Sequence, residues 1–326
     1  MKKSNIIKHF ILITLLLTVS ISCIKEIDLD LKDDEPKIVL NAIISADSLI
    51  KINITRSLGI LEEDKLYNIN NATVLLYKEN IFIDTLNQYS AGYYYKSGLK
   101  SIVGANYKII VKADGYKTVE SLFTMPNKPE ILEFDTINYS GTGDVKDGDL
   151  EIALTFSNQL DKKNYYMLEA RNNYWEYYFD YQYYDIYDSI FFNSAIQLST
   201  NDPKFEIIID YDVYPASESS DYNNWGKKFV FSDQYFNDQM GEVKFKINGN
   251  YQSNLESQRV LLNGSVDIIL SEISEDFYRY LQSLSYYSDD PFENFFVEKP
   301  TTVSNVAGGM GIIASKSSSV ASIKLN

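Results

Sequence analysis

Lys51-Ile52-Asn53-Ile54-Thr55-Arg56 alternates polar and apolar side chains. A period of two puts every second residue on one face of an extended chain, so this stretch reads as a half-buried strand and not as a helix. Similar short segments recur through the first third of the sequence, separated by turn residues. Lys37 to Ile44 is apolar and strand-like. Ala72 to Tyr77 and Ile81 to Leu86 form a hairpin pattern around Lys78-Glu79-Asn80. Gly92-Tyr93-Tyr94-Tyr95 opens another strand, Asn106 to Ala113 follows, and Asp114-Gly115 turns the chain into Tyr116 to Phe123. About seven strands with no helical period predict a β-sandwich of immunoglobulin-like type over residues 37–126. The run from Ala105 to Tyr116 resembles the closing hairpin of transthyretin-like modules, which bind or space and do not catalyse.

Met125-Pro126-Asn127-Lys128-Pro129-Glu130 carries two prolines within four residues. Proline fixes its own φ and restricts the residue before it, so a stiff, extended connection is expected here. A larger β-rich domain is expected over residues 131–326. Its strands are read at Ile131 to Tyr139, Leu150 to Phe156, Tyr165 to Ala170, Lys204 to Tyr211, Lys228 to Ser232, Glu242 to Ile247 and Arg259 to Leu270. Asp147-Gly148-Asp149 lacks the spacing of a calcium loop and reads as an acidic turn. One helix is predicted, over about residues 274–285. Ser274 suits its N-cap, and Glu275 and Asp276 suit the positive end of its dipole. Phe277, Tyr280, Leu281 and Leu284 share one face, which packs on a sheet. The fold class is therefore mostly β: two tandem sandwich-like domains, the second with one C-terminal helix.

The N-terminus gives an address. Lys2, Lys3 and Lys8 precede an apolar run from Phe10 to Val19, interrupted at Thr14 and Thr18. The run is too short to cross a hydrocarbon core of ~30 Å as a helix, and it fits the hydrophobic region of a signal peptide over residues 1–22. Ser20-Ile21-Ser22-Cys23 resembles a bacterial lipobox, with serine at the position where leucine is usual. Cleavage before Cys23 and acylation of this residue give a stable lipid anchor. Residues 23–36, acidic and closed by Pro36, read as a tether. Lys25-Glu26 beside the anchor resembles the signal that sends lipoproteins to the cell exterior.

Charge and side-chain chemistry narrow the function. The chain carries 30 basic and 45 acidic residues, so it repels phosphate backbones and no nucleic acid is expected. Its single histidine, His9, lies in the leader, and its single cysteine is Cys23. Beyond the leader there is no Ser-His-Asp or Cys-His pair and no His- or Cys-based zinc site. No cofactor, metal or catalytic residue is expected. The Gly308-Gly309-Met310-Gly311 run lacks the lysine and helix of a phosphate loop, so its glycines are read as close-approach or positive-φ positions.

Aromatic residues crowd the segment 165–192. From Tyr174 to Tyr187 nine of fourteen residues are aromatic. Tyr174, Trp175, Tyr177, Tyr178, Tyr181, Tyr183 and Tyr184, with Trp225 from the polar stretch at residues 215–228, are the candidate ligand-binding residues. Such rings suit stacking on a glycan or a peptide; the alternative is that they pack a sandwich core.

Several motifs carry a resemblance when read in order. Ile27-Asp28-Leu29 and Glu35-Pro36-Lys37-Ile38-Val39 follow the cysteine. Phe231-Ser232-Asp233-Gln234-Tyr235-Phe236 lies centrally and Glu275 to Leu281 late. Pro291-Phe292 and Ser304-Asn305-Val306-Ala307-Gly308-Gly309-Met310-Gly311-Ile312 close the chain. Together they resemble the Bacteroidota lipoproteins catalogued as domain of unknown function 4249, with Ile313 in place of the usual phenylalanine. The resemblance implies an outer-membrane lipoprotein encoded beside a TonB-dependent receptor, and no catalytic residue. The expected function is a non-catalytic binding or accessory subunit of TonB-dependent nutrient uptake. A structural or adhesive surface lipoprotein and a carboxylate-based hydrolase are the alternatives.

Overall fold

The computed structural model of the chain describes residues 35–59, 62, 67–139, 149–180, 185–209, 228–236, 238–247, 259–285 and 303–325. The chain divides into two compact units. One comprises Met1–Glu35 and Gly59–Glu63, in which the Gly59 N–H donates to the Glu62 carboxylate at 2.8 Å. Cys23 and residues 24–34 of the tether lie outside the described residues. The other unit, Pro36–Leu58 and Asp64–Asn326, holds the elements that follow.

The first eight strands are β1 (Ile38–Ser45), β2 (Leu49–Arg56), the short β3 (Tyr67–Asn68), β4 (Thr73–Lys78), β5 (Ile81–Ser90), β6 (Tyr93–Lys100), β7 (Asn106–Lys112) and β8 (Val119–Thr124). Alternation decides their facing. Ile38, Leu40, Ala42 and Ile44 of β1 are buried, and the residues between them are half-buried. The β4–β5 hairpin turns through Glu79 and Asn80, both at positive φ (48° and 62°). Two consecutive positive φ values make the type I′ turn that suits strand twist. Glutamate is a poor choice there, but its carboxylate accepts hydrogen bonds from the Asn106 N–H at 2.7 Å and from Asn106 Nδ2 at 3.1 Å. β8 starts at Val119 and not at Tyr116, because the turn at Asp114-Gly115 (Gly115 φ 83°) occupies the intervening residues. Gly92 belongs to the turn before β6 for the same reason, with φ at 73°.

The following strands are β9 (Ile131–Tyr139), β10 (Leu150–Ser157), β11 (Tyr165–Asp180), β12 (Asp185–Ala195), β13 (Leu198–Ser199), β14 (Ile207–Ile209), β15 (Lys228–Ser232), β16 (Met240–Ile247) and β17 (Arg259–Ile273). The helix α1 (Glu275–Ser285), the short β18 (Val306–Ala307) and β19 (Met310–Leu325) complete the set. Lys204 is not in β14 as expected. It closes a local turn on Asp202, with its N–H 3.1 Å from Oδ1 and its Nζ 3.2 Å from Oδ2. Ser274 caps α1 as its sequence implies, accepting from the Phe277 N–H at 3.4 Å.

One continuous sheet runs β14-β15-β11-β17-β19-β1-β2-β6-β5-β4-β7-β8-β18, with β12 on β11 and β3 on β2. It folds over at β5, whose first half pairs with β4 and second half with β6. The fold encloses a first core that includes Leu40, Ile52, Val74, Ile109 and Ile313. A separate sheet, β13-β16-β10-β9, covers the other end of the long sheet over a second core with Ile152, Phe156, Leu168, Phe245 and Ile268. On the outer face of the long sheet, Phe277 and Leu281 of α1 pack on Met167, Val230, Ile312 and Ala314. The architecture is mostly β, two sandwich-like layers with one late helix on a sheet.

β19 joins the two cores. Its first residues pair in parallel with β1, from Val39↔Met310 to Ser45↔Lys316. From Lys316 onward it pairs antiparallel with β17, ending at Gly264↔Leu325. Its serines hold the proline-rich connection down. Ser315 Oγ donates to the Thr124 carbonyl and Ser317 Oγ to the Pro126 carbonyl, both at 2.7 Å, and Ser319 Oγ donates to the Pro129 carbonyl. Prolines lack a donor, so their carbonyls are the only main-chain handles they offer. Ser317 is fully buried. The Ser317→Ala variant is therefore expected to lose about 1–3 kcal/mol of stability, the cost of an unsatisfied buried acceptor. Urea unfolding of the variant against the parent chain measures this.

The glycines of the tail serve close approach. A Cβ on Gly309 would lie 2.5 Å from the Ile38 carbonyl oxygen, and one on Gly311 2.1 Å from that of Leu40.

Candidate functional site

The aromatic segment is a long hairpin. β11 continues through it to Asp180, and β12 returns against it in the register Tyr174↔Phe192 and Trp175↔Phe191. The Trp175 and Phe191 rings lie 5.3 Å apart and are 40% and 50% exposed. Tyr174 is half-buried. As a strand neighbour of Trp175, it points to the opposite face. Tyr177 and Tyr178 stand in β11 opposite Ser189 and Asp188. Tyr181, Tyr183, Tyr184 and Trp225 lie outside the described residues. Among the described residues, Trp175 and Phe191 thus share one face of the hairpin and Tyr174 takes the other.

The concave site lies elsewhere. A cleft of about 750 Å³ opens between the β7–β8 end of the first sandwich and the first turn of α1. Tyr107 and Phe123 form one wall, stacked at 5.1 Å. The connection Thr124 to Asn127 forms a second, Lys162 to Tyr165 a third, and Glu272 to Asp276 the fourth.

Three of the motifs that carry the family resemblance support these walls. Asp233 Oδ2 accepts from the backbone N–H and from Nδ2 of Asn164, each at 2.9 Å, and so fixes the corner at residues 162–165. Ser232 Oγ and Gln234 Nε2 both donate to Glu206 Oε1 at 2.7 Å. Tyr278 of α1 donates to the other oxygen of the same carboxylate. Burial and this acceptor hold the Tyr278 hydroxyl well above its usual range. From the tail, Asn305 Nδ2 donates to Asp276 Oδ2 and to the Ile313 carbonyl, and its Oδ1 accepts from the Ile313 N–H, all at 2.9 Å. The helix start is thereby tied to β19.

The charges of the cleft are engaged within the protein. Lys162 Nζ lies 2.6 Å from Glu272 Oε1. Burial pushes the Glu272 carboxyl up, and Lys162 offsets part of this. Glu275 pairs with Arg279 at 2.5 Å. Lys163 Nζ sits 5.3 Å from the Tyr165 ring centre and Lys108 Nζ 4.8 Å from that of Tyr77. Asn106 is held at both ends, by Glu79 and by the Thr124 hydroxyl at 2.7 Å. Among the described residues, no group of three His, Cys, Asp or Glu side chains is placed to hold a metal ion. No helix among them is long and apolar enough to cross a membrane.

The cleft was not foreseen from sequence. Its residues run from Asn80 to Asp276, and Ser274, Glu275 and Asp276 lie in the stretch singled out for its helix. The one local signal was the Phe231–Phe236 motif, whose Asp233 acts one step behind the wall.

No curated protein matches the chain. Among solved structures it is similar to a protein from Corynebacterium diphtheriae described as membrane-anchored, at 12% identity and a TM-score of 0.19. The match covers 74% of this chain and 54% of the other, so the chain spans about half the length of that structure. The family model described as a domain of unknown function, DUF4249, matches residues 24–322, and the chain belongs to that family.

Proposed function

We propose that this chain is a non-catalytic binding lipoprotein, anchored in the outer membrane through Cys23 and facing the cell exterior, that serves as an accessory subunit of a TonB-dependent uptake system. The observation that carries the binding role is the state of the cleft carboxylates. Glu272, Glu275 and Asp276 each engage a partner, Lys162, Arg279 and Asn305. Each contact takes up one carboxylate oxygen and fixes a wall of the cleft, which supports a role for these residues in shaping a binding site. The address follows from the leader, Cys23 and the acidic tether, and the receptor partnership from the family resemblance. The exposed Trp175–Phe191 pair favours a second reading, an adhesive surface lipoprotein.

Replacement of Cys23 by alanine tests the anchor. In the native host, Cys23→Ala is expected to abolish labelled-palmitate incorporation and to move the protein out of the membrane fraction. The parent chain is expected to be cut by protease added to intact cells. Affinity purification from detergent-solubilised membranes is expected to recover a TonB-dependent receptor with it. Recovery of the chain alone, together with altered attachment and unchanged nutrient growth in a deletion strain, favours the adhesive reading.

A further inference from the structure

We propose that the cleft continues onto the outer face of the first sandwich as a single groove for a neutral oligosaccharide, an inference that rests on the binding role above. Strand register carries the continuity. Phe82 of β5 stands opposite Tyr77 of β4, Tyr77 opposite Lys108 of β7, and Lys108 opposite Leu122 of β8. Residues directly opposite share a face, so these four side chains form one row across four strands, about 14 Å long at ~4.8 Å per strand. Lys108 and Leu122 also line the cleft, so the row and the cleft meet without a break. Phe82 and Leu122 are 52% and 61% exposed. The Tyr77 and Phe82 rings meet edge to face at 5.6 Å.

The chemistry of the groove selects its occupant. The cleft charges are matched internally, by ion pairs, an amide or a tyrosine ring. A neutral polyol leaves them in place and uses the remaining donor and acceptor valences of the asparagines and lysines. The ring of Phe82 and the side chain of Leu122 suit the C–H faces of a sugar ring. The overall charge of −15 also repels uronic or sulfated glycans. A peptide is a poorer fit. β4 and β7 are paired on both edges, and β18 occupies the outer edge of β8 at Glu120 and Ser121. The two central strands of the row therefore offer no edge for a peptide main chain to extend. The length of the groove calls for an oligomer rather than a single sugar.

Titration calorimetry on the full lipoprotein, purified in detergent, tests this. The probes are maltohexaose, cellohexaose, xylohexaose, mannohexaose and N-acetylchitohexaose, with hexagalacturonate and a neutral hexapeptide for comparison. At least one neutral hexasaccharide is expected to bind. Phe82→Ala and Leu122→Ser are each expected to weaken it by about tenfold. Leu132→Ser, which alters an exposed apolar residue of β9, is expected to leave it unchanged. Thermal melts of all variants exclude misfolding as the cause. Failure of every neutral hexasaccharide overturns the proposal, as does tighter binding of hexagalacturonate or the peptide. Loss of sugar binding in Trp175→Ala with Phe82→Ala unaffected also overturns it, by moving the site to the hairpin. Binding of the peptide alone removes the sugar and keeps the binding role, whereas failure of all seven probes counts against both.

Discussion

The Lys316→Met variant is expected to lose about 3–5 kcal/mol of folding stability at pH 7, the cost of leaving a buried charge without its partner. Lys316 Nζ lies 3.0 Å from Glu169 Oε2, with both side chains nearly inaccessible. Burial alone would push the Glu169 carboxyl up. Lys316, then Lys228 and Arg171, outweigh this and hold it below its usual range. A carboxyl lowered in the folded state adds stability above its unfolded pKa and loses it as pH falls through the folded value. Without Lys316 the balance turns towards burial, and the folded carboxyl binds its proton more tightly than the unfolded one. The cost of the substitution should then shrink as pH is lowered from 7 to 5. Adding Glu169→Gln should recover much of the loss at pH 7, because the stranded charge is gone. Urea unfolding of the three chains at both pH values measures each effect. A single variant equally unstable at both pH values would show that packing, not charge, is lost.

Gly311→Ala is the second large effect, expected to cost about 4 kcal/mol and to take the chain close to the edge of folding. Gly311 adopts φ 104° in β19 opposite Leu40 of β1. A Cβ there would lie 2.1 Å from the Leu40 oxygen and 2.8 Å from its carbonyl carbon. The backbone conformation alone costs an alanine about 1–2 kcal/mol, and forcing strands apart adds about 1–3 kcal/mol. Gly115 provides the comparison. Its φ is 83°, but a Cβ on it meets nothing within 4 Å. Gly115→Ala should therefore cost only about 1–2 kcal/mol. Thermal and urea unfolding of the pair separate conformation from crowding, and equal losses would rule out the close approach as the cause.

The strands that the sequence made legible are those buried on one side. Leu150, Ile152, Leu154 and Phe156 alternate with half-buried residues along β10, and the period of two is plain to read. β12 was hidden because the hairpin it forms with β11 carries aromatic residues on both faces, so alternation vanishes at Tyr174-Trp175 and Tyr177-Tyr178. β19 was hidden for a different reason. Ser315, Ser317 and Ser319 alternate, but their partners are carbonyls about 190 residues away, and a serine-rich run otherwise looks like a loop. Nothing in that run marks Lys316, and only the fold brings it to Glu169, 147 positions earlier. The cleft shares this distance problem. Its lining comes from five separate stretches, and no local pattern announces a junction. The helix, by contrast, was readable from its cap and the spacing of Phe277 and Leu281.

The placement of β19 also governs the order of events at the ribosome. β1 is among the first strands made, yet its partner lies some 270 residues later, as in the bond from the Ile312 N–H to Asn41 Oδ1. Until that partner emerges, one edge of β1 stands open and Ile313 is missing from the first core. The first sandwich therefore cannot finish on its own during synthesis, even though it precedes the second in the chain. β17 waits for the same strand. A nascent chain of this design stays unsealed until nearly all of it is made, and sequence-distant closure of this kind is slow. Whatever shields its exposed strand edges must act on a chain almost complete in length but not yet in fold.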